Sequence, residues 1–438
     1  MRLNLWTLVA TLSIATRSLA APVLTVHPGN AGDLTISAET TINGTRPLTN
    51  ATRPAIDAVQ ATEKLPLTFT NNFAGNINAY VTGLNSQNEI VILQPDGSWY
   101  TPTGSYSTPN PITANIAIPV GGLGSKVEIA LPGYISSARI WFAAGELKFF
   151  LVNDGNGNPS LVEPSASNPE DPSAGVSWGF VELTNTEEGG LYANISYVDF
   201  VGLPLGMSMV AGDGSVQSTP GLQAGAVTSI CNDLQAQAAK DGQPWDQLCQ
   251  VDSSGNPLRI TAPPDFIAVN PNAWAGYYDD YINEVWTKYT TQKLIINTQG
   301  SAGNVSCQVS GDVLSCAGAG RDFSKPSVND IWGCNSGPFG IKSTDNGVYA
   351  AIVPRLCAAF DRTTLCLDGG DVQPNLPASS YYTIGPTNWY SAIVHKYEIQ
   401  NKGYAFCYDD VNPDGDENAS GVVVNLNPQS LSITIGGS

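Results

Sequence analysis

Basic residues are scarce in this chain of 438 residues, which has 19 lysines and arginines against 38 aspartates and glutamates. The formal net charge is −19, and loss of the two charges of Arg2 and Arg17 with the first residues would make it −21. Because contact with phosphate groups requires a basic surface, this balance argues against a nucleic acid or an anionic membrane as a partner. A neutral polymer suffers no such penalty, and the charge also keeps the protein soluble.

Histidine is nearly absent, and cysteine is absent from the first half of the chain. The only histidines are His27 and His395, and no Cys-x-x-Cys occurs, so we expect no zinc site and no metalloenzyme of the His-Glu-x-x-His type. All eight cysteines lie between Cys231 and Cys407. Their even number is typical of an oxidising compartment, but the spacing assigns no pairs.

Long apolar runs are absent beyond the N-terminus, so we expect no membrane-spanning segment. Arg2, the apolar run over residues 5–14 and the small residues over 18–20 predict a signal peptide over residues 1–20, with a buried N-terminal helix as the alternative. The sequence therefore predicts a secreted, extracellular protein. Five Asn-x-Ser/Thr sequons agree with a secreted glycoprotein, at Asn43, Asn50, Asn194, Asn304 and Asn418.

The cysteine distribution divides the rest of the chain. We predict a β domain over residues 22–222, a mixed α/β domain with all the cysteines over 223–412, and C-terminal strands over 413–438 that return to a sheet. In the first domain, short runs between Gly, Pro and Asn turns predict a sandwich or barrel. The chain is long enough for two cores, which favours a cleft between the domains as the site. Predicted strands cover 65–70, 89–93, 126–131, 139–142 and 147–152.

Helical periodicity begins only after residue 222. Val227, Ile230 and Leu234 fall on one face of a helix that Asp241-Gly242 ends. Further helices are predicted over residues 273–289 and 389–399, and short strands over 305–309 and 348–353. The chain is thus mainly β, with an α+β second domain.

The most informative segment runs from Ser177 to Asp199 and carries two carboxylates on either side of a Gly189-Gly190 pair. Both flanks alternate as strands do, and the glycine pair predicts a two-residue hairpin loop. In that register Glu182 lies opposite Tyr197.

The same register places Phe180 opposite Asp199, so both carboxylates project to one face of the hairpin. Diagonal neighbours on two antiparallel strands lie about 7–8 Å apart. An inverting glycosidase separates its acid and base by roughly 6.5–9.5 Å to leave room for a water. The spacing therefore suits hydrolysis of a glycosidic bond with inversion.

Aromatic rings share the predicted face, among them Trp178 and Tyr197. Such surroundings desolvate a carboxyl and raise its pKa, as a general acid requires, and they offer a flat apolar surface to a sugar. The alternative is that Glu182 and Asp199 are ordinary exposed strand residues. Other acids compete for a catalytic role: Glu146, Glu187, Glu188, Asp409 and Asp410.

Three other chemical motifs are weaker. The G-x-S-x-G run over residues 175–179 leads into a strand, whereas a nucleophile elbow requires a helix after the turn. No Asp-Thr-Gly or Asp-Ser-Gly occurs, so the chain is not an aspartic protease. Asp410 to Asp414 begins like a calcium loop, but Gly421 stands where the bidentate Glu belongs. A solvated acidic loop or cleft rim is the preferred interpretation, and a nonstandard calcium site stays open.

The hairpin resembles glycoside hydrolase family 64, the thaumatin-like β-1,3-glucanases, here as a secreted, fungal-type member. The resemblance extends loosely over most of the chain after residue 20. It depends on these segments: 180–184 (Phe-Val-Glu-Leu-Thr), 191–200, 202–206, 139–142 with 149–152, and 403–411.

This resemblance implies a thaumatin-like β sandwich or barrel beside a mixed α/β domain, with an acidic groove between them. It implies that Glu182 is the general acid and Asp199 the general base of an inverting mechanism. Thr184, Tyr192 and Ser196 fall where the family places glucan-contacting residues. In the predicted register, however, Ser196 faces away from Asp199, and it also completes the Asn194 sequon. Three interpretations stay open: the strand has a bulge, Asn194 is not glycosylated, or Ser196 does not contact the glucan.

We therefore predict a secreted, cofactor-free and monomeric inverting β-1,3-glucanase that acts on laminarin or cell-wall glucan. Its predicted substrate contacts are Thr184, Tyr192, Ser196, Trp178 and Tyr197. The main alternative is a non-catalytic thaumatin-like protein that binds cell-wall glucan. A third possibility is a secreted protein that acts on another protein, but no segment of the sequence supports it.

Overall fold

A computed structural model describes residues 23–44, 64–104, 106–415 and 420–437. The predicted signal peptide and the sequons at Asn50 and Asn418 lie outside these ranges. Up to residue 219 the described chain consists of strands: β1 (Leu24–Thr25), β2 (Thr41–Asn43), β3 (Leu65–Asn71), β4 (Ile77–Leu84), β5 (Ile90–Leu93), β6 (Trp99–Tyr100), β7 (Asn110–Pro111), β8 (Ile118–Gly121), β9 (Lys126–Leu131), β10 (Ile135–Ala143), β11 (Phe150–Asn153), β12 (Pro159–Val162), β13 (Trp178–Thr186), β14 (Gly190–Asn194), β15 (Phe200–Val201), β16 (Leu205–Ala211) and β17 (Val216–Thr219).

Helices alternate with shorter strands in the remainder. In the described ranges, no helix combines the length and apolar character needed to cross a bilayer. The helices are α1 (Ala226–Asp241), α2 (Pro263–Val269), α3 (Asp279–Thr291), α4 (Val328–Gly333), α5 (Gly347–Asp361) and α6 (Trp389–Tyr397). The strands are β18 (Cys249–Val251), β19 (Pro257–Thr261), β20 (Leu294–Asn297), β21 (Asn304–Ser310), β22 (Val313–Cys316), β23 (Phe323–Ser324), β24 (Val372–Gln373), β25 (Val423–Asn425) and β26 (Pro428–Ile435).

The largest sheet has the order β25-β14-β13-β10-β4-β5-β6, with β8 also paired to β4. One face packs against a five-stranded sheet of order β17-β16-β26-β3-β9. At this interface Phe69 of β3 meets Phe142 of β10 with ring centroids 5.0 Å apart. Strand β26, from the end of the chain, lies between β16 and β3 and so is central to this second sheet.

The opposite face of the largest sheet is covered by a four-stranded sheet of order β2-β12-β11-β7. An apolar cluster fills this interface, with Trp141 of β10, Trp178 and Phe180 of β13, and Leu161 of β12. Because side chains alternate along a strand, Glu182 projects to the same face as Phe180. Glu182 therefore lies at the margin of a buried aromatic cluster.

The helical part joins this β structure through a continuous core. Leu222, Ile230 of α1 and Tyr390 of α6 belong to the same apolar cluster as the two large sheets. Strand β15 also pairs with β19, in a sheet of order β1-β18-β19-β15. The predicted domain limits of 22–222, 223–412 and 413–438 stay a prediction.

The mainly β fold with several sheets and some helices is confirmed, and many predicted elements lie where the patterns placed them. The predicted strand over 126–131 is β9, and the predicted helices around 223–241 and 389–399 are α1 and α6. The predicted helix over 273–289 begins six residues later, at Asp279. The predicted strand over 348–353 is wrong, because these residues lie in α5, where the Asn346 side chain caps the amide of Tyr349. The buried residues Tyr349, Ile352, Val353 and Leu356 have helical spacing, but an apolar run as short as 348–353 does not by itself distinguish a buried helix from a strand.

The eight cysteines form three disulfides and two thiols. The disulfides join Cys231 to Cys249, Cys307 to Cys316, and Cys334 to Cys357. The thiols are those of Cys366 and Cys407. Burial raises the pKa of each thiol to about 12, so both stay protonated at neutral pH.

Candidate active site

The β13–β14 hairpin has a different register from the predicted one. Thr186 pairs with Gly190 and Glu182 with Asn194, so the tip consists of residues 187–189. The prediction that Glu182 lies opposite Tyr197, and Phe180 opposite Asp199, is therefore wrong. The cause is a three-residue tip in which Gly190, at φ 63°, opens the second strand and does not belong to the loop. The diagonal-neighbour distance predicted for the two carboxylates no longer applies.

Glu182 belongs to a chain of polar contacts that begins in the buried cluster. Trp141 Nε1 donates to Thr82 Oγ1 at 3.0 Å, and Thr82 Oγ1 donates to Glu163 at 2.6 Å. Glu163, 1% exposed in its side chain, accepts from Arg139 Nη1 at 2.8 Å. Arg139 Nη2 in turn lies 3.5 Å from Glu182 Oε1. The guanidinium is thus held by a buried carboxylate and aimed at an accessible one.

The Arg139 guanidinium also stacks on Phe180, with its Cζ 4.6 Å from the ring centroid. A planar cation over an aromatic face in a partly buried position is held more firmly than an exposed lysine would be. Although burial opposes its charge, the carboxylates of Glu163, Glu182 and Asp199 raise the pKa of Arg139. Arg139 is therefore a fixed positive charge shared by three acids.

Asp199 reaches the same place from a different direction. It follows the end of β14 by five residues and immediately precedes β15, and its carbonyl accepts a hydrogen bond from the amide of Ala262 at 2.8 Å. Asp265, in the first turn of α2, lines the same cavity as Asp199, so the charge of Asp199 acts on it. The side chain of Asp199 is accessible to solvent within a crevice.

Two adjoining cavities contain the two carboxylates. The first has a volume of about 520 Å³ and is lined by Glu182. The second is lined by Asp199 and Asp265. Arg139 and Glu39 line both cavities, so they form the rim that the cavities share. A ligand that crosses this rim would touch one carboxylate on each side.

Partial desolvation by the cavity walls raises the pKa of both candidate carboxyls, although both side chains reach solvent. For Glu182, desolvation dominates, Arg139 opposes it and Asp199 adds to it. For Asp199, desolvation again dominates and Arg139 opposes it. Asp265 is affected most, because burial and the charges of Asp199 and Glu39 raise its pKa to about 8. A carboxyl with a raised pKa can donate a proton at mildly acidic pH, which suits the role predicted for Glu182.

The predicted substrate contacts divide into two groups. Thr184 and Tyr192 are paired across the hairpin, and both line the cavity of Glu182. Trp178 lines the cavity of Asp199 but is only 1% exposed, so it supports the wall from behind.

Tyr197 and Ser196 lie outside both cavities. Tyr197 is 4% exposed in the main core, and its carbonyl accepts from Tyr390 OH. Ser196 forms an isolated parallel bridge with Tyr404, and its hydroxyl accepts from the amide of Val198 at 3.3 Å. The predicted register gave Ser196 an orientation away from Asp199 because it continued the strand through Ser196. The regular strand ends at Asn194, two residues earlier.

Several residues of the cavities were not predicted from sequence: Arg139, Glu163, Asn194, Asp265 and Glu39. Arg139 occurs in a segment that carries the family resemblance, but its role depends on the neighbouring strands β10 and β13. Asn194 is directly opposite Glu182, which only the correct register reveals. Because Asn194 lines the cavity of Glu182, a glycan attached to it would occupy that cavity.

The reactive side chains of the other chemical motifs, Ser177 and the acids over 409–414, do not line these two cavities. Ser177 immediately precedes strand β13, so the helix of a nucleophile elbow is missing. Asp414 accepts from the side chains of Asn297 and Gln299, and Asp409 is buried against His395 and Arg362. In the described residues no group of three or more histidine, cysteine, aspartate or glutamate side chains is arranged to hold a metal ion.

Two carboxylates of raised pKa on either side of one rim, in cavities on a β scaffold, define the type of site found in glycoside hydrolases. The chain belongs to glycoside hydrolase family 64, whose family model, described as β-1,3-glucanase, matches residues 63–435.

Individual relatives agree with this family. The chain is 28% identical over 362 residues to a glucan endo-1,3-β-glucosidase of Cellulosimicrobium cellulans, covering 81% of this chain and 62% of the relative. A protein of the same name from Arthrobacter sp. (strain YCWD3) matches equally. The chain thus spans about three fifths of the length of these curated relatives. Neither organism supports the fungal-type assignment made from sequence.

Solved structures show the same fold. The crystal structure of a laminaripentaose-producing β-1,3-glucanase in complex with laminaritetraose superposes with a TM-score of 0.72 at 29% identity, over 85% of this chain and 98% of the other. A β-1,3-glucanase domain from Clostridium beijerinckii superposes with a TM-score of 0.65 at 22% identity, over the same shares of the two chains.

Proposed function

We propose that this protein is a secreted, monomeric hydrolase of β-1,3-glucan that inverts the anomeric configuration and needs no cofactor. Membership of the family and the names of its relatives support the substrate. The observation that carries the proposal is the shared rim, with Glu182 in one cavity and Asp199 in the other. The fold proposed with it is a thaumatin-like β domain beside a mixed α/β domain, with the glucan in the cleft between them.

In the proposed reaction, a glucan chain crosses the rim at Arg139. Protonated Glu182 donates its proton to the oxygen of the scissile glycosidic bond as that bond breaks. Ionised Asp199 removes a proton from a water molecule that attacks the anomeric carbon from the opposite face of the ring. Inverting glycosidases place their carboxyl groups far enough apart to admit this water, and separate cavities on the two sides of a rim provide such room.

Raised pKa values set the pH range in which this pair works. The acid must be protonated, so activity is lost as the pH rises through the pKa of Glu182. The base must be ionised, so activity is lost as the pH falls through the pKa of Asp199. We therefore expect a bell-shaped profile in the mildly acidic range.

Release of reducing ends from laminarin by the purified protein tests the proposal. Glu182→Gln and Asp199→Asn should each lower kcat by about 10²–10⁴-fold, the usual contribution of a general acid or base. Glu188→Gln is the matched control, because Glu188 is an exposed acid at the tip of the same hairpin, and it should keep wild-type activity. Full activity of either catalytic variant would contradict the assigned roles.

Four further measurements separate the finer parts of the proposal. Proton NMR of the first product should show the α-anomer, and an initial β-anomer would exclude inversion. Binding of insoluble glucan without any release would favour a non-catalytic protein. Light scattering of the protein from culture medium, with sequencing of its N-terminus, tests the monomer and the removal of residues 1–20.

A further inference from the structure

A segment outside the family match lines the candidate active site. The match begins at residue 63, yet residues of the stretch 38–43 line the cavity of Glu182, and Glu39 and Thr40 line that of Asp199. One wall of the site is thus built by a part of the chain that the family description does not include.

Hydrogen bonds and strand pairing fix this wall. Thr40 Oγ1 donates to the carbonyl of Thr35 at 2.8 Å, and Thr41 Oγ1 donates to the carbonyl of Ser37 at 2.6 Å. The next residues form β2, which pairs with β12 through Thr41↔Val162. The carbonyl of Thr40 also accepts from the amide of Glu163 at 2.9 Å. The wall is therefore attached to the residue that holds Arg139.

Glu39 is the accessible side chain of this wall. Its amide donates to Ser37 Oγ at 3.3 Å, while its own side chain is exposed to solvent. It lines both cavities, as Arg139 does, so it lies at the rim between Glu182 and Asp199. In the cavity of Asp199, Glu39 and Asp265 line the same wall space, and the charge of Glu39 helps to raise the pKa of Asp265.

A carboxylate at this position matches the chemistry of a neutral sugar. A glucosyl unit offers hydroxyl donors, and a carboxylate accepts them in short, charge-assisted hydrogen bonds. The only other residue that lines both cavities, Arg139, has donors alone, so Glu39 is the acceptor that the rim offers to a sugar hydroxyl.

We propose that Glu39 binds hydroxyl groups of the glucosyl unit next to the scissile bond and is a substrate-binding residue supplied by the segment outside the family match. This inference rests on the proposed function, because it takes β-1,3-glucan as the ligand. It adds a substrate contact from the N-terminal wall to those on the hairpin.

Calorimetric titration with laminarihexaose tests the contact in the Glu182→Gln background, in which turnover is suppressed. Addition of Glu39→Ala should raise the Kd about tenfold, as expected for loss of one hydrogen bond to a charged group. Glu39→Gln, which keeps an acceptor oxygen, should weaken it less. Glu188→Gln in the same background should leave the Kd unchanged.

Kinetics on the active enzyme distinguish binding from a purely electrostatic effect. Glu39→Ala should raise KM for laminarihexaose and leave the pH limits of kcat in place. An unchanged Kd would overturn the inference, and so would a shifted pH profile without loss of affinity, because Glu39 would then act only on Asp265 and Asp199. If the wild-type protein releases no sugar from laminarin, the proposed function fails first, and that result is seen before any Glu39 variant is made.

Discussion

Arg139 is the residue on which the arrangement of the site depends. It contacts buried Glu163 at 2.8 Å and accessible Glu182 at 3.5 Å, and its charge also acts on Asp199. Removal of one partner of a buried ion pair commonly lowers the free energy of unfolding by about 3–5 kcal/mol, because the other charge is left uncompensated. Arg139 therefore contributes both to the stability of the contact between β10 and Glu163 and to the pKa of each candidate carboxyl.

Replacement of Arg139 should move the pH profile of activity to higher pH at both limbs. The guanidinium lowers the pKa of Glu182 and of Asp199, so both values rise when it is lost. A higher pKa of the base shifts the acidic limb upward, and a higher pKa of the acid shifts the basic limb upward. The test is kcat/KM against pH for Arg139→Met combined with Glu163→Gln, which avoids an unpaired buried charge.

Arg139→Lys with Glu163 intact is the matched control for the charge. It keeps a cation but loses the planar fork, so its pH limits should stay near those of the wild type while kcat falls. If the acidic and basic limbs of the pH profile stay in place in the Arg139→Met, Glu163→Gln double variant, Arg139 does not set the pKa values of Glu182 and Asp199.

At the scale of elements, the hairpin β13–β14 carries Glu182, Thr184 and Tyr192, and a single glycine fixes its register. Gly190 has φ 63°, and a Cβ atom there would lie 2.3 Å from the carbonyl oxygen of Asn425, the last residue of β25. Gly190 is thus required both by its backbone angle and by the close approach of the neighbouring strand.

Gly190→Ala should destabilise the protein by roughly 2–4 kcal/mol, since it combines strain at positive φ with a clash against backbone atoms. It should also lower glucanase activity, because β14 carries one side of the cavity of Glu182. Gly189→Ala is the control: its new Cβ would meet only the Thr186 side chain, at 2.8 Å from Oγ1, and its φ is not positive. Denaturant unfolding of both variants checks this, and equal losses of stability would contradict the role of Gly190.

At the scale of the whole molecule, several ionisable groups are buried away from the candidate site. Asp361 is fully buried and accepts from Asn388 Nδ2 at 2.9 Å, and burial raises its pKa to about 7. His395 lies between Glu398 and Asp409, whose charges raise its pKa although burial opposes them. Both Asp361 and His395 bind a proton more tightly in the folded than in the unfolded protein.

We therefore expect the free energy of unfolding to fall as the pH rises from about 4 to about 8. A group whose folded pKa is raised stabilises the fold below its unfolded pKa, and this contribution is lost as the pH passes through the folded pKa. For Asp361, with an unfolded value of 3.8 and a folded value of about 7, the change is about 4 kcal/mol. Asp409 has a lowered pKa, so its contribution is lost only at lower pH.

Thermal unfolding at pH 5 and pH 8 measures this effect. The Tm of the wild type should be higher at pH 5, and Asp361→Asn should reduce the difference between the two pH values, whatever its effect on the Tm itself. A variant that shows the full difference would exclude Asp361 as a source of the pH dependence.

Alternation and turn residues predicted much of the β structure, because local sequence sets which face of a strand is apolar. Strand β9 has its predicted bounds, and α1 ends at the predicted Gly242, in the left-handed conformation. Helix α5 was missed because the apolar run over 348–353 is too short to distinguish a buried helix from a strand, although Tyr349, Ile352 and Leu356 have helical spacing.

The identity of the two candidate carboxylates came from the sequence, and so did the expectation of a neutral polymer as partner. Their arrangement did not, because a register is decided by contacts between strands far apart in the chain. Gly190 pairs with Thr186 and lies against Asn425 of β25, and β10 brings Arg139 beside Glu182. The position of Asp199 depends on β15 and β19, and that of Glu39 on β2 and β12. Local composition thus determined which chemical groups the protein possesses, and only long-range pairing decided which of them meet.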